Sequence, residues 1–316
     1  MGTIKPAAGR ADVEDAPIAR VVTRLGGEYV LRSSQLLIEA FGDVRAGLLV
    51  QSINAANIVR RAHSVDGWRA AAPGGAYPDE ARRPIRVSRL ADTAGLPFET
   101  TRRIVQRLVD TGACIRVGGG VVVPRTTLES AAVVRNTMAN LTYVRRFVRD
   151  LKAAGLVERE RPAEMGHTEG AEEAEIAYRV APFSNEYILR ALRLLADTYG
   201  DIRLGLVAQA IVTANTAHLE TRTGEGWRYA GIDDTPPDQV RRPISVYGLA
   251  ESLGTPYETM RAQVRRLQDA GVCVRVNGGL IVPKTVLETP AALRATLTNV
   301  GYVRKFVRDV QAAGLA

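Results

Sequence analysis

Two stretches of the chain are nearly the same sentence: GLPFETTRRIVQRLVDTGACIRVGGGVVVP, Gly95 to Pro124, and GTPYETMRAQVRRLQDAGVCVRVNGGLIVP, Gly254 to Pro283. The likeness runs well beyond them. EYVLRSSQLLIEAFGDVRAGLLVQSINAAN from Glu28 aligns with EYILRALRLLADTYGDIRLGLVAQAIVTAN from Glu186, and NLTYVRRFVRDLKAAGL from Asn140 with NVGYVRKFVRDVQAAGL from Asn299. From Pro84 onward roughly half of the aligned positions are identical. Self-similarity of this length is an architectural constraint, because whatever one copy folds into the other must fold into as well. Two long copies make a pair; a solenoid needs three or more short units. A chain of 316 residues has room for two such domains. The expected organisation is therefore a tail over residues 1–16, a first repeat over 17–156, an acidic linker over 157–175 and a second repeat over 176–316. The linker, VERERPAEMGHTEGAEEAE, has Pro and Gly and no apolar period, so it reads as solvated.

Within each copy the apolar periodicity gives an order of elements. Leu31, Leu37, Phe41, Leu48, Leu49 and Ile53 lie at helical spacing, broken by Gly42-Asp43, with Asp43 placed to cap the second of two helices. Gln51 and Asn57 recur as Gln209 and Asn215, which suits hydrogen bonding between helices more than contact with a ligand. The Gly- and Pro-rich loop that follows is expected to be irregular, with Trp68 and Trp227 tacking it to the core. Val87 to Gly95 then forms a short helix stopped by glycine, and Pro97 to Thr111 a second one. At about 100° per residue, Phe98, Thr101, Val105 and Leu108 share one side of that helix. Their counterparts Tyr257, Met260, Val264 and Leu267 are all apolar, which predicts a buried face. Two short β runs around GGG and NGG complete the unit, and Asn-Gly between such runs is a strong hairpin signal. The fold expected is mainly α with small β-hairpin wings.

Helix, glycine turn, helix and hairpin is the order of a winged helix-turn-helix. LADTAGLPFETTRRIVQRLVDTG resembles the helix-turn-helix of many bacterial transcriptional regulators. The order of apolar helices, winged segment and long C-terminal helix (from Tyr143 to Leu156) is similar to the layout of the MarR family. The resemblance implies double-stranded DNA as the partner, self-association through the apolar outer helices, and contact with RNA polymerase. It implies a transcriptional regulator in which one chain supplies both reading heads, a pseudo-dimer on an imperfect inverted repeat.

The residues suit that reading. The formal net charge is +8, carried almost wholly by Arg, which pairs with phosphate and with guanine edges through two parallel bonds. Opposite the predicted buried face stand Thr100, Arg103, Gln106 and Arg107, with Arg102 on the flank. The second copy has Thr259, Arg265 and Arg266, with Arg261 on the flank and Ala262 in place of Arg103. Arg is matched to guanine O6 and N7, Gln to adenine, and Thr to phosphate or the thymine methyl. Arg82, Arg83, Arg86 and Arg89, with Arg241 and Arg242, are expected to reach phosphates, and Arg116 and Arg275 on the hairpins the backbone or minor groove.

Other classes fit less well. Aromatic residues make up only 5% of the chain, too few for a single-strand stacking platform. His63, His167 and His218 are scattered and no nucleophile–base spacing recurs, so no enzyme is expected. Cys114 and Cys273 occupy matching positions without metal-ligand spacing; they read as buried packing residues, with neither metal nor cofactor expected. No apolar run reaches membrane length and the N-terminus has no signal-peptide core, which predicts a cytoplasmic protein away from membranes. Two rival readings stay open: a plasmid-type replication initiator, which would favour direct repeats, and a tandem winged-helix scaffold for protein contacts.

Overall fold

The computed structural model describes residues 16–58, 79–155, 173–219 and 224–312. The first half carries α1 (Ala19–Phe41), α2 (Val44–Ile58), α3 (Val87–Ala94), α4 (Phe98–Asp110), the hairpin β1 (Ile115–Val117) and β2 (Gly120–Val122), the single turn α5 (Arg125–Leu128) and α6 (Ala131–Ala153). The second half follows with α7 (Glu173–Tyr199), α8 (Ile202–Thr216), the single turn α9 (Gly224–Trp227), α10 (Val246–Ser252) and α11 (Tyr257–Asp269). It ends with the hairpin β3 (Val274–Val276) and β4 (Gly279–Ile281), then α12 (Lys284–Leu287) and α13 (Pro290–Ala312). Among the described residues the chain is mainly helical, and its sheets are two antiparallel two-stranded hairpins.

The caps and turns form where local chemistry asks for them. The Asp43 carboxylate accepts from Arg45 N at 2.8 Å at the start of α2, and Asp201 caps α8 by accepting from Arg203 N and Leu204 N. Gly95 ends α3 in the left-handed region at φ 65°, its N–H turned back to the last carbonyls. The hairpin turns need two successive positive φ values; Gly118 and Gly119 supply 53° and 78°, Asn277 and Gly278 supply 49° and 80°.

The compact units are not the two consecutive stretches that the repeat suggested. Within the described residues, unit A comprises 32–58, 79–148, 173–193 and 306–312, and unit B comprises 16–31, 149–155, 194–219 and 224–305. Each therefore takes helical segments from both halves of the chain. The long helices also start earlier than expected: α6 begins at Ala131, a dozen residues before Tyr143. In unit A, Phe147 of α6, Tyr187 of α7 and Phe306 of α13 form a buried aromatic cluster with ring centroids 5.6–6.1 Å apart.

Unit A's core packs Leu49 and Ile53 of α2 against Leu90, Val105 and Leu108 of α3 and α4, and against Cys114, Val121 and Val123 of the hairpin region. Unit B repeats the arrangement with Val207 and Ile211, Leu249, Met260, Val264 and Leu267, and Cys273, Leu280 and Val282. Burial raises the Cys114 thiol to about 12 and Cys273 to about 11, so both stay protonated thiols inside apolar surroundings. Trp227 departs from expectation: it is 39% exposed and does not anchor its loop in the core. Trp68, the tail before residue 16 and nearly all of the 157–175 linker lie outside the described residues.

In each unit a third extended residue joins the hairpin. Ile85 exchanges both backbone hydrogen bonds with Val121 (2.9 and 3.1 Å), and Ile244 does the same with Leu280 (2.8 and 3.2 Å). The close approach requires glycine at the neighbouring positions. A Cβ on Gly120 would stand 2.7 Å from Pro84 Cβ and 2.9 Å from the Ile85 carbonyl oxygen, and one on Gly279 2.6 Å from Pro243 Cβ. Gly120→Ala and Gly279→Ala are each expected to lower stability by about 1–3 kcal/mol, the usual cost of overpacking. A thermal midpoint unchanged within error, followed by circular dichroism, would contradict this packing.

Candidate nucleic-acid interface

Each hairpin is tied to the segment that precedes α3 or α10 by a buried asparagine. In unit A the Asn57 amide donates to Arg83 O (2.6 Å) and Val121 O (3.4 Å), and its oxygen accepts from Val123 N (3.1 Å). In unit B, Asn215 donates to Arg242 O (2.8 Å) and Leu280 O (3.0 Å) and accepts from Val282 N (3.1 Å). The bonds between helices expected of these residues are not what forms: the asparagines serve backbone groups of the hairpin region and of the segment before α3 or α10, and Gln209 donates to Thr213 of its own helix.

A second latch corrects part of the expected phosphate set. Arg82 and Arg241 are 5% and 4% exposed. Arg82 Nε lies 3.3 Å from Asp79 Oδ1 and its Nη1 donates to Asn54 Oδ1; Arg241 Nε lies 3.3 Å from Asp238 Oδ1 and its Nη2 donates to Pro236 O. The same aspartates accept from Arg125 N (2.8 Å) and Lys284 N (2.7 Å), fixing the turn after each hairpin. Burial lowers both guanidinium pKa values and the aspartates partly restore them. A phosphate at the surface meets neither residue. Arg83, Arg86, Arg89 and Arg242, by contrast, are exposed.

On α4, Thr101, Ile104, Val105 and Leu108 are buried, while Arg102, Arg103, Gln106 and Arg107 are exposed and Thr100 half-buried. On α11, Met260, Val264 and Leu267 are buried, while Thr259, Arg261, Arg265 and Arg266 are exposed. The expected polar faces are thus the solvent faces. Phe98 and Tyr257 were expected inside and are not, at 52% and 47% exposed. Each is the first residue of its helix, and helical phase alone does not bury it. The apolar position missed on α4 is Ile104; Gln263 replaces it in the second copy, which hides it from a comparison of repeats.

The two faces differ in how their charges are engaged. Arg102 pairs with Glu99 at 2.7 Å and Arg261 with Glu258 at 3.5 Å, one turn back along each helix. In unit A, Arg116 of β1 donates to Gln106 Oε1 at 2.9 Å, and Gln106 Nε2 donates to Asp110 Oδ1 at 2.8 Å, joining hairpin to helix. The equivalent residues in unit B, Arg275 and Arg265, are both cations and cannot bond in this way. Among the described residues, Arg103, Arg107, Arg265, Arg266 and Arg275 carry no ion pair, so five exposed guanidinium groups are available to an anionic partner. The outer strands add exposed Ile115, Val117 and Val274.

No group of three or more His, Cys, Asp or Glu side chains able to hold a metal occurs among the described residues, and no helix among them is long and apolar enough to cross a membrane. Comparison with family models, with curated proteins and with solved structures gave no match.

Proposed function

We propose that the chain is a sequence-specific double-stranded DNA-binding transcriptional regulator built from two winged helix-turn-helix copies, with α4 and α11 as the recognition helices. The observation that carries this reading is the set of exposed arginines outside any ion pair among the described residues, Arg103 and Arg107 on α4 and Arg265 and Arg266 on α11, each helix flanked by a hairpin with its own arginine. Supporting it are the left-handed turn at Gly95 between α3 and α4, and the third extended residue beside each hairpin, which is how a wing is fastened to its helices. Exposed Phe98 and Tyr257 suit apolar contact with a thymine methyl at the helix entry.

The two heads read related but unequal half-sites. Arg107 and Arg266 are shared, whereas Arg103 meets Ala262 and Gln106 meets Arg265 in the alignment. A single chain then acts as a pseudo-dimer on an imperfect inverted repeat whose half-sites lie about one DNA turn apart, ~34 Å. Selection of bound sites from random duplexes tests this. Inverted half-sites differing at one or two base pairs are expected; direct repeats would instead favour a replication initiator. No enrichment together with co-purification of a protein would favour an interaction scaffold, for which exposed Ile115, Val117 and Val274 would be the contact.

A further inference from the structure

Gln51 and Gln209 occupy equivalent places on α2 and α8 but meet different neighbours. Gln209 Nε2 donates to Thr213 Oγ1 one turn on, at 3.2 Å. Gly27 of α1 packs so closely over Gln209 that a Cβ there would overlap its Nε2. In the alignment Ala55 replaces Thr213 and Asn185 replaces Gly27. Gln51 accordingly has neither the hydroxyl nor the glycine beside it, and its Oε1 is buried without a hydrogen-bond partner. That side chain, with Ala55 and Asn185, lines a cavity of about 360 Å³ in unit A.

A second pair of replacements acts in the same place. In unit B, Arg20 donates to Ile232 O (2.8 Å) and Arg24 to Tyr229 O and Gly226 O (3.0 Å each), strapping residues 226–232 onto α1. The aligned residues on α7 are Tyr178 and Pro182, which carry no guanidinium, and both line the cavity. About half of the remaining wall is aliphatic, Leu36, Val50, Val133 and Ile188 among it, and the amides of Asn54, Asn136 and Asn140 stand in the rest. The charged side chains that line it among the described residues are already engaged: Arg82 with Asp79 and Asn54, and Glu186 with Arg190 at 2.7 Å. Burial, and then the charge of Glu129, push the Tyr178 phenol pKa up and keep it neutral.

We infer that this cavity is a binding site for one small, neutral, largely apolar molecule that offers a hydrogen-bond donor to Gln51 Oε1. The volume lies within the range of small-molecule pockets, and a few placed polar groups in an apolar wall are their usual construction. An unmatched buried acceptor favours a ligand that supplies the missing donor. This inference stands apart from the DNA-binding reading, because it concerns the chain alone.

The test uses 1-aminoanthracene, a neutral fused-ring amine that brightens in apolar surroundings, titrated into the full chain. Saturable binding of one probe per chain is expected. Ala55→Thr sets a hydroxyl one turn from Gln51 that can donate to its Oε1 in the ligand's place, and Gln51→Leu removes the acceptor; each is expected to weaken binding about tenfold. Thr213→Ala is expected to leave affinity unchanged, and circular dichroism checks that each variant is folded. Failure to saturate, two probes per chain, or an affinity in both Ala55→Thr and Gln51→Leu as high as in the unchanged chain would overturn the assignment.

Discussion

Asn215→Ala is expected to destabilise the protein by about 3 kcal/mol, and Asn57→Ala by a similar amount, because each leaves buried backbone groups without partners. The side chain of Asn215 is fully buried and serves two carbonyls and one N–H of the segments around β4. Water does not replace it there. The isosteric Asn215→Asp is a sharper probe, since it keeps the shape but turns an acceptor toward the carbonyls of Arg242 and Leu280. It is expected to cost at least as much as alanine. Urea unfolding followed at 222 nm measures both; losses below about 1 kcal/mol would show that these asparagines do not hold the hairpins.

The second large effect concerns the exposed faces. The double variant Arg107→Ala, Arg266→Ala removes the one cation without an ion pair among the described residues that both helices present at the same position. With each contact to a base or phosphate worth about 1–3 kcal/mol, affinity for a selected duplex is expected to fall roughly a hundredfold or more. Both residues are exposed, so the thermal midpoint is expected to stay within about a degree or two. Undiminished binding by the folded double variant would remove α4 and α11 from the interface.

Much of the fold was legible because the relevant physics is local. Asn277-Gly278 specifies a turn with two positive φ values, Asp43 and Asp201 are caps within two or three residues of the amides they serve, and Gly95 stops α3 where a left-handed residue is needed. The second copy carries the same information, since buried Thr101, Val105 and Leu108 correspond to Met260, Val264 and Leu267 while Arg107 and Arg266 stay outside; only Ile104 gives way, to Gln263. What was not legible depends on distant parts of the chain. Arg82 and Arg241 look like surface arginines until Asp79 and Asp238 are brought beside them by a loop that has no periodic signal. The composition of the two units escaped for the same reason: the apolar faces of the long helices state that they must be covered, not by which segment. Phe98 and Tyr257 misled because a helical wheel carries phase and not depth.

The most direct test of the account is the affinity of the intact chain for a random-sequence DNA duplex as a function of salt. If the unpaired arginines on both copies meet phosphates, binding is measurable at low salt and the logarithm of the association constant falls linearly with the logarithm of salt concentration. The slope is then about −0.9 for each phosphate neutralised. A slope of roughly −4 or steeper is expected from the five available guanidinium groups. Absence of binding at low salt, or binding that salt leaves unchanged, would contradict it.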